Sequence, residues 1–220
     1  MLALDTPHGP AHVHLHRAAE ATAALVLGHG AGGGVQARDL VAVTEAARSD
    51  GVSVALVEQP YRVAGRRSPA PARRLDAAWV AVVDQLMAGE LAGLGLVAGG
   101  RSLGARVACR TAEATGAVAV LCLAFPLQPP KRKSAAAASP SRLPELDAVQ
   151  VPALVVQGTG DRFGMPPTGP RREVVQVSGD HGLKSDLDAV VAAVCAWLPR
   201  VVGQAGGSAE PPPAALSSST

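Results

Sequence analysis

The stretch Leu94-Gly95-Leu96-Val97-Ala98-Gly99-Gly100-Arg101-Ser102-Leu103-Gly104-Ala105-Arg106 decides how this chain is read. An apolar run ends in glycines, a serine follows, and a helix-forming segment starts at once. In order, that is a strand, a Gly-x-Ser-x-Gly turn and a helix. Glycines two before and two after Ser102 let neighbouring backbone pass close by. The turn lifts the serine hydroxyl above the carboxyl edge of a sheet. A helix N-terminus, which favours negative charge, lies beside it. Ser102 is therefore the candidate nucleophile, against the plainer reading of a structural Gly-Ser turn.

Outward from that turn the chain alternates strand-like and helix-like segments. Residues 2–5 and 11–16 read as a hairpin around Pro7-His8-Gly9-Pro10. Strands are expected at 23–28, 52–57, 94–98, 117–124, 151–157 and 173–177. Helices are expected at 37–49, 75–87, 102–114 and 183–198, the last ended by Pro199. The order predicts an α/β protein with a mostly parallel sheet, helices on both faces and an antiparallel N-terminal hairpin. The strands are continuous apolar runs, as two covered faces require. One domain is expected over 1–202. The Pro-, Ala- and Lys/Arg-rich stretch 128–141 reads as a surface loop, and 203–220, rich in Gly, Ser and Pro, as a disordered tail.

Composition bounds the possibilities. With 48% hydrophobic residues among 220, the chain as a whole is not disordered. Aromatics are only 2%, so the core is built from Ala, Val and Leu. A net charge of +2 is too weak to argue for a nucleic-acid partner. Cys109, Cys122 and Cys195 form no CxxC pair and read as free thiols in a reducing compartment. No apolar run approaches the ~20 residues of a membrane span. The expectation is a soluble cytoplasmic protein with no membrane partner.

A serine nucleophile needs a base, and the base needs an orienting acid. Only one histidine follows Ser102, namely His181 in Ser178-Gly179-Asp180-His181-Gly182. It falls after the last strand and before the last helix. Asp161, at the end of Leu154-Val155-Val156-Gln157-Gly158-Thr159-Gly160-Asp161, is the expected acid. Its plainer reading is a turn residue after Gly160. Asp180 adjoins His181, so its side chain is expected to point elsewhere. The loop Gly28-His29-Gly30-Ala31-Gly32-Gly33-Gly34 is the candidate oxyanion loop. The amides of Ala31 and Leu103 are its expected donors. That loop also meets a dinucleotide-binding spacing, with Glu58 ending the next strand. Such a reading leaves Ser102, Asp161 and His181 without a role. No cofactor is called for.

Other residues draw attention. His12, His14 and His16 alternate on one face of a strand and read as an exposed hairpin face rather than a metal site. His29 reads as a loop-packing residue rather than a second base. Arg62, Arg66 and Arg67 follow a strand on the side where Ser102 emerges. With Arg101 they form a basic loop suited to an anionic group or simply to solvent. Tyr61, Arg62 and Arg101 are the expected substrate contacts.

The chain resembles the α/β-hydrolase family that includes testis-expressed protein 30 and the hydrolase-like domain of the third subunit of the non-specific lethal chromatin complex. The matching stretches are Thr6 to Pro10, Gly28 to Gly34, Glu58-Gln59-Pro60-Tyr61 with Gly65-Arg66-Arg67, Gly99 to Arg106, Phe125-Pro126-Leu127 with Pro129-Pro130, Gln157-Gly158-Thr159 with Asp161, and Asp180-His181. The resemblance implies an α/β-hydrolase fold with little or no lid and a Ser102–His181–Asp161 triad. Lys131 to Ala135 and Arg162 depart from its pattern. The expected function is hydrolysis of a small or polar ester or thioester through an acyl-enzyme. Its alternatives are a non-catalytic binding or complex subunit and an acyltransferase.

Overall fold

The computed structural model describes residues 1–129 and 140–206. Eight strands and six helices follow in the order β1 (Leu2–Leu4), β2 (Ala11–His16), β3 (Ala23–Gly28), α1 (Arg38–Ser49), β4 (Val52–Glu58), α2 (Pro60–Val63), α3 (Ala72–Ala88), β5 (Gly95–Arg101), α4 (Leu103–Thr111), β6 (Ala119–Leu123), α5 (Leu143–Asp147), β7 (Ala153–Gly158), β8 (Arg172–Val177) and α6 (Leu187–Gly206). They form one sheet in the order β1-β2-β4-β3-β5-β6-β7-β8. The pairs β1–β2 and β2–β4 are antiparallel, and all later pairs are parallel. This is the α/β-hydrolase fold expected from the sequence, with its N-terminal hairpin.

Side-chain alternation along the central strands divides the core into two layers. Ala24 and Val26 of β3, Leu96 and Ala98 of β5, and Val120 and Cys122 of β6 face α3 and α4, around the buried Trp79. Leu25 and Leu27, Val97, and Leu121 and Leu123 face α1 and α6, around the buried Trp197. Both faces are thus covered, which is why these strands carry so little polar residue. Phe125 and Tyr61 join Trp79 in the first layer, and Val, Leu and Ala fill most of the rest of both.

Most elements lie within three residues of their expected bounds. The last helix does not. Residues 180–183 form a turn, in which Leu183 N–H bonds the Asp180 carbonyl at 3.1 Å and Leu183 adopts φ +48°, and the helix begins only at Leu187. Asp186 Oδ1 then accepts the Ala189 N–H at 3.1 Å, capping α6. At the other end α6 runs through Pro199 instead of stopping there. Val190, Val194, Trp197, Leu198 and Val201 make a continuous buried stripe across the proline, and that packing outweighs the lost backbone bond. Helix α6 also crosses the expected domain boundary at 202, and residues 207–220 lie outside the described residues. Most of the expected loop at 128–141 does so as well.

Two glycines of the Ser102 turn are required by close approach. A Cβ on Gly104 would lie 2.2 Å from the Gly28 carbonyl oxygen, and one on Gly100 would lie 2.5 Å from the same atom. Both contacts are with backbone, so no side-chain rotation relieves them. A Cβ on Gly33, by contrast, would have nothing within 4 Å. Gly104→Ala should therefore destabilise the fold by at least about 3 kcal/mol, while Gly33→Ala stays within about 1 kcal/mol of the parent. Urea denaturation of the two variants checks this, and a Gly104→Ala protein of parental stability contradicts it.

Candidate active site

The segments that follow β3, β5, β7 and β8 meet at the carboxyl edge of the sheet. Ser102 stands between β5 and α4 with φ 53° and ψ −104°, a strained conformation for a residue with a side chain. Its N–H bonds the Leu123 carbonyl at 2.9 Å, which ties the turn to β6. Asp161 follows β7 through a tight turn, its N–H on the Gly158 carbonyl at 3.0 Å. The loop bearing His181 runs directly alongside. A Cβ on Gly158 would lie 2.5 Å from the Asp180 carbonyl oxygen, and Gly160 N–H bonds the Gly179 carbonyl at 2.8 Å.

These approaches bring three expected residues into one chain of contacts. His181 Nε2 lies 2.9 Å from Ser102 Oγ, and His181 Nδ1 lies 2.8 Å from Asp161 Oδ2. With Nδ1–H donating to the carboxylate, Nε2 is left to accept the serine proton. The Asp161 side chain is 1% exposed and that of His181 19%. Asp180 bonds the Gly182 N–H instead, at 2.8 Å. Phe163 stands edge-on to the His181 ring, with centroids 4.5 Å apart.

The glycine loop after β3 lies against Ser102. A Cβ on Gly30 would sit 3.7 Å from Ser102 Cβ. His29 is buried, and its Nε2 accepts the Gln59 N–H at 3.2 Å. Its proton is therefore on Nδ1, which donates to the Gly30 carbonyl at 2.8 Å. In a trans peptide the N–H opposes the C=O, so the Ala31 N–H is turned away from His29. Tyr61 donates to the Ala31 carbonyl at 3.2 Å. Burial raises the Tyr61 phenol to about 12, which keeps that donor protonated. Leu103 opens α4, so its N–H has no intrahelical acceptor.

The three expected substrate contacts fall in different places. Tyr61 and Arg62 do not line the groove above Ser102, and the Tyr61 hydroxyl is spent on the glycine loop. Arg101 does line it, with two of its three guanidinium nitrogens engaged elsewhere. Nε pairs with the buried Asp39 Oδ2 at 2.9 Å, and an Nη donates to the His181 carbonyl at 2.8 Å. Arg101 thus ties α1 to the histidine loop. Burial raises the Asp39 carboxyl above its ordinary value, opposed chiefly by Arg101. His12 and His14 face Glu58 at 4.0 and 3.6 Å. Among the described residues no group of three or more His, Cys, Asp or Glu is arranged to hold a metal ion. Cys109 and Cys122, far apart in sequence, are adjacent, with sulfurs 3.5 Å apart.

Gln157 was missed by sequence reasoning. It is fully buried, and its Nε2 lies within 3.0 Å of Asp161 Oδ2 and of the Phe125 and Gly164 carbonyls. An amide side chain ending an apolar strand just before the acid was the available signal.

Residues 21–186 match the family model described as alpha/beta hydrolase domain. The chain belongs to that family. Solved structures similar to this hydrolase domain include a lidless α/β serine hydrolase from Xanthomonas campestris, with a TM-score of 0.71 at 21% identity, covering 90% of this chain and 94% of that one. Est1E from Butyrivibrio proteoclasticus, with ferulic acid bound, aligns at a TM-score of 0.75 and 17% identity over 92% of this chain and 100% of that one. A dienelactone hydrolase from Anabaena variabilis aligns at 0.71 and 16% identity over 90% and 95%. No curated protein matches the sequence significantly. Among the described residues no helix is long and apolar enough to cross a membrane.

Two outcomes follow for this hydrolase domain. Replacing Arg101 by Met strands the buried Asp39 carboxylate and should cost about 3 kcal/mol or more. Adding Asp39→Leu should recover most of that stability without restoring the tie to His181. Denaturant unfolding of the single and double variants reads both effects. The second concerns pH. Burial holds the His29 pKa below its ordinary 6.5, so the unfolded chain takes up a proton first as pH falls. Its contribution to stability is therefore present above 6.5 and lost as pH drops toward the folded value. The unfolding free energy should fall from about pH 7 to pH 5, and less steeply in His29→Asn. An unchanged slope in that variant contradicts the assignment.

Proposed function

We propose that this hydrolase domain is a serine hydrolase acting on ester or thioester bonds. The observation that carries the reading is the continuous Ser102–His181–Asp161 contact chain, at 2.9 and 2.8 Å. Ser102 Oγ attacks the acyl carbon as His181 Nε2 takes its proton. The amides of Ala31 and Leu103 bind the oxygen that becomes negative. His181 then returns the proton to the departing alcohol or thiol, leaving an acyl-Ser102. A water molecule, deprotonated by His181, attacks that acyl group and releases the acid and the free serine. Asp161 holds the imidazole in the required tautomer throughout, and Gln157 holds Asp161.

The groove above Ser102, of 660 Å³, is lined mainly by the glycine loop and by polar and charged side chains. Among the described residues Phe163 is the one Phe, Tyr or Trp that lines it. This supports a small or polar substrate over a long acyl chain. Within the superfamily we group the chain with testis-expressed protein 30 and the hydrolase-like subunit named above. A cytoplasmic setting accords with the free thiols of Cys109, Cys122 and Cys195.

A fluorophosphonate probe should label the parent protein at Ser102 and leave Ser102→Ala unlabelled. On a panel of esters of graded acyl length, Ser102→Ala and His181→Ala should each lose about 10⁴-fold or more in kcat. The double variant should lose no more than the worse single one, because the two residues act as a unit. A folded parent protein that neither labels nor turns over any ester overturns the reading.

A further inference from the structure

The charges around Ser102 divide into two kinds. Those inside are matched, because Asp39 lies against Arg101 and Asp161 against His181. Those on the walls are not. Arg38 enters the groove from the start of α1, Arg162 from the acid loop and Lys184 from the histidine loop. All three are exposed. Among the described residues none of them forms an ion pair with a carboxylate. Asp180 lies beside Arg162 in an adjoining crevice, its Oδ1 occupied by the Gly182 N–H.

Arg162 is also held in place. Its guanidinium carbon lies 4.9 Å from the Phe163 ring centroid, and Phe163 packs edge-on to His181. One cation therefore stands next to the base that faces Ser102. Cations entering from one helix start and two separate loops, with no carboxylate partner, concentrate anions in the space between them. Guanidinium groups bind carboxylate and phosphate through paired N–H donors.

We propose that the groove selects esters carrying a second, anionic group, a carboxylate or a phosphate. Arg38, Arg162 and Lys184 hold that group while the ester carbonyl faces Ser102. The anion takes no part in bond making or breaking and acts by orienting the ester. The inference rests on the serine-hydrolase reading for its chemistry, but its selectivity can be measured without turnover.

The first test compares 4-nitrophenyl hemisuccinate with 4-nitrophenyl butyrate, which differ mainly by a carboxylate in place of a methyl group. At low ionic strength kcat/KM should favour the hemisuccinate by about tenfold or more, and the advantage should shrink toward 0.15 M salt, roughly where screening acts within about 8 Å. The combined variant Arg38→Gln, Arg162→Gln, Lys184→Gln should bring the ratio near one. Arg66→Gln with Arg67→Gln, which removes exposed charge outside the groove, should keep it. Equal kcat/KM for the two esters, or a preference that survives the triple variant, overturns the proposal.

The second test uses Ser102→Ala protein and NMR titration with monomethyl succinate, methyl phosphate and methyl butyrate. Tighter binding of either anion than of methyl butyrate, lost in the triple variant, supports the proposal, and the stronger of the two names the anion. Equal binding of all three overturns it. If neither nitrophenyl ester is hydrolysed and Ser102 resists the fluorophosphonate probe, the hydrolase reading falls, while this titration still decides the charge selectivity.

Discussion

The contact between the end of β3 and the Ser102 turn governs the arrangement of the site. Gly28 and Gly100 are paired in register on adjacent strands. Helix α4 starts immediately over that pair, and Gly104 meets the Gly28 backbone where no Cβ fits. Backbone must therefore lie on backbone. The loop leaving Gly28 has no room to swing away, and it runs past Ser102 at side-chain distance. Proximity of the glycine loop to Ser102 is thus a steric result of how β3, β5 and α4 pack. The same device recurs at Gly158, whose approach to Asp180 holds the acid and histidine loops together.

Steric approach positions the loops but leaves their polar groups to be satisfied. Loops at a sheet edge expose carbonyls and amides that would cost free energy if buried unpaired. Here buried side chains meet that need. His29 and Tyr61 hold successive carbonyls of the glycine loop. Gln157 holds the acid turn, and Arg101 links α1 to the histidine loop. Two of these groups are neutral amide or imidazole, one is a phenol kept protonated, and the charged one has its counter-ion built in. The strain at Ser102, of order 1–3 kcal/mol, is held by the surrounding ladder and by these ties.

The sequence was legible where function follows local order. A strand, a glycine-framed serine and a helix fall consecutively, so Ser102 and its turn can be read from thirteen residues. His181 stands out because no other histidine follows Ser102, and Asp161 because it comes directly after a strand. Residues acting through three-dimensional contact were not legible. Arg101 looked like a cation facing substrate, because its partner Asp39 is distant in sequence and joins it only when α1 packs. Tyr61 reads as a substrate contact because its place at the start of the loop after a strand is visible and the direction of its hydroxyl is not. Helix α6 was misjudged at both ends for a related reason. A proline is a local signal, while the buried stripe that carries the helix through it is a tertiary one.

The division between matched interior charge and unmatched wall charge bears on how an open groove can be selective. A deep pocket removes most of a ligand's surface from water, and apolar burial then supplies both affinity and discrimination. The groove over Ser102 has Phe163 as its one aromatic wall and glycines along one side. Large apolar side chains are few there. Discrimination must then come from directed polar contacts, which keep their strength where the protein excludes part of the solvent. The interior charges are unavailable for this, since Asp39 and Arg101 already neutralise each other and hold the loops. Only the wall residues are free to vary without disturbing the backbone approaches that align Ser102. Substrate choice in this fold can therefore change at Arg38, Arg162 and Lys184, while the constraints imposed by Gly28, Gly100 and Gly104 remain.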